Sequence, residues 1–125
     1  DLLIVDLLES SGEGWSKLAQ QALDLAPNIT LLVNNAGIFH EPDFFSLDVA
    51  TFRRTWQLNV EAGLFLTHTF ARRWKESNVE GRVLFTGSIN GLLAEPDHVA
   101  YDTSKAAVAG MVRSLCVALA KHRIR

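Results

Sequence analysis

Cysteine is almost absent from this chain, and neither sign of charge is in excess. The 125 residues include one cysteine, Cys116, which excludes an internal disulfide framework and a zinc site built from several cysteines. We expect this residue to pack in the core and, since a lone thiol suits a reducing compartment, we expect a cytoplasmic protein. Twelve Lys and Arg residues oppose 14 Asp and Glu residues, for a net charge of −2. Without a basic excess, we expect no nucleic-acid partner.

Long apolar runs and metal-ligand patterns are missing as well. The longest candidate for a membrane span, residues 106–120, is interrupted by Arg113 and Ser114, and a bilayer requires about 20 apolar residues. We therefore expect no membrane insertion. The four histidines have no metal-ligand spacing, so we expect no metal site. The chain begins at Asp1 without a Met or a signal peptide, which predicts a piece of a longer protein.

Short apolar runs alternate with longer segments of helical periodicity. An apolar stripe from Trp15 to Leu23 predicts a first helix, with Ser10 and Glu13 at capping-box spacing before it and Pro27 after it. Two more helices are predicted over residues 48–76 and 101–121. Strands are predicted over residues 2–5, 29–33 and 82–86, the first two as runs buried on both faces. Three strands and three helices in alternation favour a parallel α/β sheet over the alternative, an irregular α/β sandwich.

Tyr101 is the only tyrosine, and Lys105 follows it by four residues. On a helix this spacing places the two side chains one turn apart on the same face. The ammonium group favours the phenolate electrostatically, which would allow the tyrosine to donate and accept a proton at working pH. Taken alone, such a pair is more often two solvated helix neighbours.

Three other polar or small residues stand out by position. Ser88 follows the third predicted strand, where parallel sheets bind ligands, and could hydrogen-bond a substrate carbonyl or simply cap the loop. Gly37 follows the second predicted strand and either permits close backbone approach to a ligand or forms a turn with positive φ. Asn59 lies in the long helix and either faces solvent or serves a buried polar network.

Four motifs together identify a resemblance to a known family. Asn34-Asn35-Ala36-Gly37, Asn59, Ser88 and Tyr101-x-x-x-Lys105 have the order and spacing of the short-chain dehydrogenases/reductases. The separation of 13 residues between Ser88 and Tyr101 (101 − 88) is the interval that this family commonly shows. The resemblance covers nearly the whole chain and implies a Rossmann-like, doubly wound parallel sheet. Residues 1–125 would form the central part of a single domain of this kind.

The resemblance implies an enzyme, an oxidoreductase that transfers a hydride between NAD or NADP and a carbonyl/alcohol substrate. In it, Tyr101 would be the general acid/base and would also contact the cofactor, while Lys105 would assist it and hold the nicotinamide ribose. Ser88 would orient the substrate, and Asn59 would support a proton-relay water. Asn34, Ala36 and Gly37 would shape the cofactor-side wall, and Asp6 with Leu7 would contact the adenine end. An isomerase or lyase, or a non-catalytic dinucleotide-binding protein, of the same superfamily is the alternative.

The chain also departs from the family pattern. Asp102 follows Tyr101, where the family more often has a small residue, and we predict no role for it. The Gly-rich pyrophosphate turn and the residue that selects NAD over NADP are not in the sequence. We therefore expect the native protein to have a further amino-terminal βαβ segment and further chain after Arg125. We also expect no useful dinucleotide binding by these 125 residues alone. The apolar faces of the long and last helices predict a homodimer or homotetramer.

Overall fold

The computed structural model describes residues 2–40 and 42–125, so Asp1 and Glu41 lie outside the described residues. Helix α1 (Gly12–Leu25) is the first element, and strand β1 (Leu31–Asn34) follows it. A 3₁₀ turn (Phe44–Ser46) then precedes helix α2 (Val49–Trp56). A π-helical turn (Gln57–Ala62) joins α2 directly to helix α3 (Gly63–Glu76). Strand β2 (Arg82–Phe85), a second 3₁₀ turn (Ile89–Gly91) and helix α4 (Val99–Ala120) complete the order.

The two strands pair in parallel, with Leu31 beside Arg82 and Asn34 beside Phe85. The connection between them is the continuous helical segment from α2 to α3, as a parallel crossover requires. The core cluster consists of Ala19, Leu23, Phe70, Ala71, Trp74 and Ile124, with Leu32, Val83 and Leu119 packed against it. Side chains of α1, α3 and α4 therefore cover the same face of the sheet.

The opposite face of the sheet is open in the described chain. Leu31, Val33 and Leu84 are each about half exposed, at 49%, 51% and 55%, so the prediction of a β1 run buried on both faces is wrong for this chain. The strand predicted over residues 2–5 is also wrong, because this segment is coil and Ile4 is 91% exposed. A strand requires a hydrogen-bonded neighbour, and among the described residues only β1 and β2 pair.

The helix starts differ in how their first N–H groups are satisfied. The predicted capping box of Ser10 and Glu13 is wrong: α1 begins after Ser11, and Glu13 instead pairs with Lys17 at 2.9 Å. Before α2, the Asp48 carboxylate accepts a hydrogen bond from Thr51 N. That backbone hydrogen bond holds the pKa of Asp48 below its usual value, as expected for an acidic N-cap.

Helix α4 has 22 residues and presents much of its apolar surface to solvent. Val117 is 82% exposed and Cys116 is exposed, so the prediction that Cys116 packs in the core is wrong for this chain. By length and composition alone, α4 is apolar enough to cross a membrane, with a mean hydropathy of 1.2, and 17% of that apolar window is buried. This is weak evidence, because a helix that packs between two protein surfaces has the same composition.

Trp74 fixes the end of α3 against the sheet. It is 1% exposed, and its indole N–H donates a hydrogen bond to Ile29 O at 2.7 Å. Gly81, directly before β2, lies so close to the Trp74 ring that a Cβ atom at position 81 would overlap it. The backbone at position 81 therefore requires glycine, because only glycine lets it lie this close to the Trp74 ring.

We expect Gly81→Ala to lower the free energy of unfolding of the intact protein by about 3 kcal/mol, since the buried Trp74 ring must move to admit the methyl group. Urea unfolding measures the loss. The matched control is Gly12→Ala at the start of α1, where a Cβ atom meets nothing within 4 Å, and it should leave the protein as stable or slightly more so. Equal midpoints for both variants would contradict this account of the β2 entry.

Candidate active site

Lys105 is a buried cation in the second turn of α4. It is 6% exposed, and its ammonium group donates a hydrogen bond to Thr86 O at 2.9 Å, just beyond the end of β2. The same nitrogen lies 5.6 Å from the centroid of the Tyr101 ring. The two side chains therefore share one face of the helix, as their spacing predicts. Burial of a charged group is costly unless it is hydrogen-bonded, so the Thr86 carbonyl is part of what keeps Lys105 in place.

The Tyr101 ring is positioned by aromatic neighbours. Phe39, two residues beyond Gly37, packs edge-on against it with the centroids 4.6 Å apart, and the same phenyl ring lies 4.8 Å from the His98 ring, also edge-on. Edge-to-face packing at this distance is the favoured arrangement of aromatic pairs. Tyr101 is half-buried, so its ring is held while part of it remains accessible.

Asn59 connects the segment after β1 with α4. It is 6% exposed in the π-helical turn, and its side chain accepts a hydrogen bond from Ile38 N at 2.8 Å while donating to Ile38 O at 3.0 Å. It also donates to Ser104 Oγ at 3.0 Å, and Ser104 in turn donates to Tyr101 O at 2.7 Å. Of the two possibilities for Asn59, the structure shows the buried network.

Gly37 favours close approach of the backbone and is not needed for its backbone angles. It has no positive φ, which excludes the turn considered for it, and a Cβ atom there would lie 3.2 Å from Asn59 Oδ1 and 3.8 Å from Lys105 Nζ. The segment after β1 thus passes directly over two of the predicted catalytic side chains. A larger residue would push it away from them.

One cleft of about 90 Å³ collects several of the predicted residues. Its walls include Leu7, Asn34, Ala36, Asn59 and Lys105. Asn34 donates to Thr67 Oγ1 at 3.0 Å, but its buried Oδ1 has no hydrogen-bond partner in the described part of the chain. A buried acceptor normally has a donor, so this atom suits a ligand that carries a hydroxyl or amide group. Together with the Lys105 ammonium, the donor and acceptor set fits a hydroxyl-rich group such as a ribose.

Ser88 and Asp6 stand apart from this cleft. Ser88 Oγ accepts a hydrogen bond from Asn90 N at 3.2 Å and caps the second 3₁₀ turn, which is the simpler of its two possible roles. This local bond leaves its predicted contact with substrate untested. Asp6 is exposed, accepts a local hydrogen bond from Leu8 N at 2.8 Å, and does not line the cleft. Its contact with a cofactor stays a prediction.

Four residues that sequence reasoning did not select also contribute to this region: Thr86, Asn90, Asp102 and Ser104. Ser104 is 0% exposed, and no sequence signal separates it from the polar neighbours Asp102 and Thr103. Asp102 binds Asn90 Nδ2 at 2.9 Å and Glu95 N at 3.1 Å, although we predicted no role for it. The backbone carbonyl of Thr86 carries no sequence signal, because every residue has one.

Comparison with known proteins places the chain in a family. The model of the short chain dehydrogenase family matches residues 3–125, and the chain belongs to that family. An L-rhamnose 1-dehydrogenase (NADP(+)) of Thermoplasma acidophilum is 32% identical over 108 residues, which are 86% of this chain and 42% of that protein. Short-chain dehydrogenase reductase 3a of Arabidopsis thaliana is 35% identical over 99 residues, 78% of this chain and 38% of that protein. The chain therefore spans less than half the length of these relatives.

Solved structures show the same architecture. A 4-hydroxyisoleucine dehydrogenase complexed with NADH is 31% identical, with a TM-score of 0.90 over 98% of this chain and 53% of the other. The crystal structure of a candidate NAD(P)-dependent gluconate 5-dehydrogenase from Beutenbergia cavernae, with NADP bound at low occupancy, is 25% identical. Its TM-score is 0.90 over 99% of this chain and 48% of the other. These likenesses confirm the predicted Rossmann-like α/β fold, of which the chain is a part.

We expect Asn59→Ala to destabilise the intact protein by about 1–3 kcal/mol, because it leaves the Ile38 N–H and C=O groups without their partner in a buried site. Thermal and urea unfolding measure this loss. Glu61→Ala, at an exposed position of the same π-helical turn, is the control and should be near neutral. If the two variants have equal unfolding midpoints, Asn59 does not hold the segment after β1 and helix α4 together.

Proposed function

We propose that the intact protein is a cytoplasmic, NAD(P)-dependent oxidoreductase that transfers a hydride between the nicotinamide cofactor and a carbonyl/alcohol substrate. The observation that carries the proposal is the buried Lys105 ammonium, which lies 5.6 Å from the Tyr101 ring centroid. Family membership supports it, as do relatives named as NADP(+)- or NAD(P)(+)-dependent dehydrogenases. Since the relatives' names include both cofactors, the proposal covers NAD and NADP alike.

When bound, the reduced dinucleotide would supply a hydride to the carbonyl carbon of the substrate, and residues of this chain supply a proton to the carbonyl oxygen. The Tyr101 hydroxyl donates that proton, and the positive charge of Lys105 stabilises the phenolate that remains. Ser88 donates a hydrogen bond to the same oxygen and orients it. Oxidation of the alcohol runs the same steps in reverse, with the phenolate as base.

The other predicted residues act on the cofactor and on proton supply. Lys105 and Asn34, in one cleft, would bind hydroxyl groups of the nicotinamide ribose. Ala36 and Gly37 would shape the wall on the cofactor side, and Asp6 with Leu7 would contact the adenine end. Asn59 holds the segment after β1 in place and its turn supports the water that returns the proton to Tyr101.

Tyr101→Phe tests the proposal most directly. We expect a loss of about 10²–10⁴-fold in kcat/KM in the intact enzyme, because only the proton-transferring hydroxyl is removed. The ring contact with Phe39 remains and keeps the shape of the site, so cofactor affinity should be nearly unchanged. NAD(P)H consumption on a panel of sugars, ketoacids and small ketones gives the rates, and fluorescence titration with NADH and NADPH gives the affinities.

Thr103→Val is the matched control, since it removes an exposed hydroxyl from the same helical turn. It should retain nearly all activity. Wild-type turnover in Tyr101→Phe would rule out the tyrosine as the general acid/base.

We also propose a homodimer or homotetramer in which a second copy covers the open face of α4. Exposed apolar residues on this helix, Val117 at 82% among them, support the assembly, because large apolar patches are rare on monomers. We expect light scattering of the intact protein to give two or four subunits. Val117→Glu should shift it toward monomer, whereas Leu25→Glu, on α1, should not. A wild-type monomer at micromolar concentration would refute this assembly.

A further inference from the structure

The carboxylate of Asp102, which takes no part in the proposed hydride and proton transfers, connects the segment between β2 and α4 to helix α4 by hydrogen bonds. Asn90 Nδ2 donates a hydrogen bond to Asp102 Oδ1 at 2.9 Å, and Glu95 N donates to Asp102 Oδ2 at 3.1 Å. Both oxygens of one carboxylate thus hold the segment, at points five residues apart. Asp102 lies in the first turn of α4, where the helix dipole favours a negative charge. A single side chain at the start of α4 therefore holds two points of this segment.

The same Asn90 side chain contacts Ser88. A carboxylate only accepts hydrogen bonds, so the NH₂ group of Asn90 must face Asp102 and its Oδ1 must face the other way. That oxygen accepts a hydrogen bond from Ser88 Oγ at 3.4 Å, while Asn90 N donates to Ser88 Oγ at 3.2 Å. The Ser88 hydroxyl has one proton, so when it donates to a substrate oxygen it gives up the 3.4 Å contact and keeps the bond from Asn90 N. Asp102, together with His98 Nδ1 at 3.3 Å from Asn90 Nδ2, holds the Asn90 side chain and with it the turn that carries this N–H group.

The turn that carries Ser88 also rests directly on the α4 backbone. A Cβ atom at Gly91 would lie 3.0 Å from Lys105 O and 3.1 Å from Lys105 C, so only glycine allows this approach without a shift. The turn is thus attached to α4 at Lys105 by packing and at Asp102 by hydrogen bonds. Tyr101 lies directly before Asp102 in the same helix.

We propose that Asn90 and Asp102 form a positioning pair that holds Ser88 in register with Tyr101. The proposal rests on the proposed function, in which the Ser88 and Tyr101 hydroxyls both hydrogen-bond to the same substrate oxygen. A displacement of about 1 Å in such an arrangement can cost about 10²-fold in rate. Asp102 acts through Asn90 and Ser88 and touches neither substrate nor cofactor.

The test exchanges the two members of the pair in the intact enzyme. Asn90→Asp keeps the size of the side chain but sets two carboxylates against each other, and we expect kcat to fall by about 10- to 100-fold. Asp102→Asn leaves one acceptor for two donors, and its loss should be smaller. The double variant Asn90→Asp with Asp102→Asn restores a hydrogen bond in the reverse direction and should recover most of the lost kcat. KM for cofactor and the affinities for NADH and NADPH should stay unchanged throughout.

Asp97→Asn is the matched control. It makes the same chemical change at an exposed residue of the same segment, and its positive φ of 63° is one that Asn accepts. It should leave kcat unchanged. A double variant no better than Asn90→Asp alone, or losses that follow the melting temperature or the cofactor affinity, would overturn the proposal and leave the pair with a structural role only.

A second arm places Asn90→Asp in a Ser88→Ala background. If the pair acts through Ser88, the added change should have little further effect on kcat, whereas losses that multiply would overturn the proposal. Tyr101→Phe, assayed in parallel, separates the two hypotheses. Full activity of Tyr101→Phe contradicts the proposed function, while an inactive Tyr101→Phe with a fully active Asn90→Asp contradicts only the positioning pair.

Discussion

The carboxamide of Asn59 is the contact through which the parts of the candidate site are held together. Its oxygen and nitrogen bind both backbone groups of Ile38, and the same nitrogen reaches Ser104 on α4. Asparagine is a poor residue for a helix interior, and here it stands in a π-helical turn, which widens the helix by one residue and turns this side chain inward. Gly37 can then lie against it, and the segment after β1 passes close to Lys105.

Strand pairing fixes the second half of the site. Thr86 N donates to Asn34 O at 3.0 Å, and Thr86 Oγ1 donates to Asn35 Oδ1 at 2.8 Å, so the parallel register continues past the ends of both strands. The Thr86 carbonyl is thereby held where the Lys105 ammonium can bind it. Because a parallel register brings the carboxyl ends of both strands to one edge, the polar residues after β1 and after β2 meet there.

Hydrophobic periodicity in the sequence predicted the helices, whereas strands and loop contacts depend on residues far apart in the chain. The helices between residues 48 and 76 and from residue 101 onward follow from hydrophobic periodicity, which a helix satisfies within its own segment. Residues 2–5 have an equally apolar sequence but no pairing partner among the described residues, and so they form coil. In the site, the shared helix face of Tyr101 and Lys105 was predictable, whereas the burial of Asn59 was one of two possibilities that the sequence left open. The link from Asn90 to Asp102 was not predictable, because it depends on the path of the intervening loop.

Asn34 Oδ1, which has no hydrogen-bond partner in the described part of the chain, indicates which kind of ligand the cleft suits. A buried acceptor normally has a donor within hydrogen-bond distance, and this one belongs to a cleft that a buried ammonium group also lines. Of the three ammonium protons of Lys105, the hydrogen bond to Thr86 uses one within the described chain. An acceptor that needs a donor and a cation that can still donate are together complementary to a hydroxyl group, which does both. A ligand that brings such a group would satisfy the acceptor and bind the cation at once, so these two side chains fit a hydroxyl-rich ligand such as a ribose.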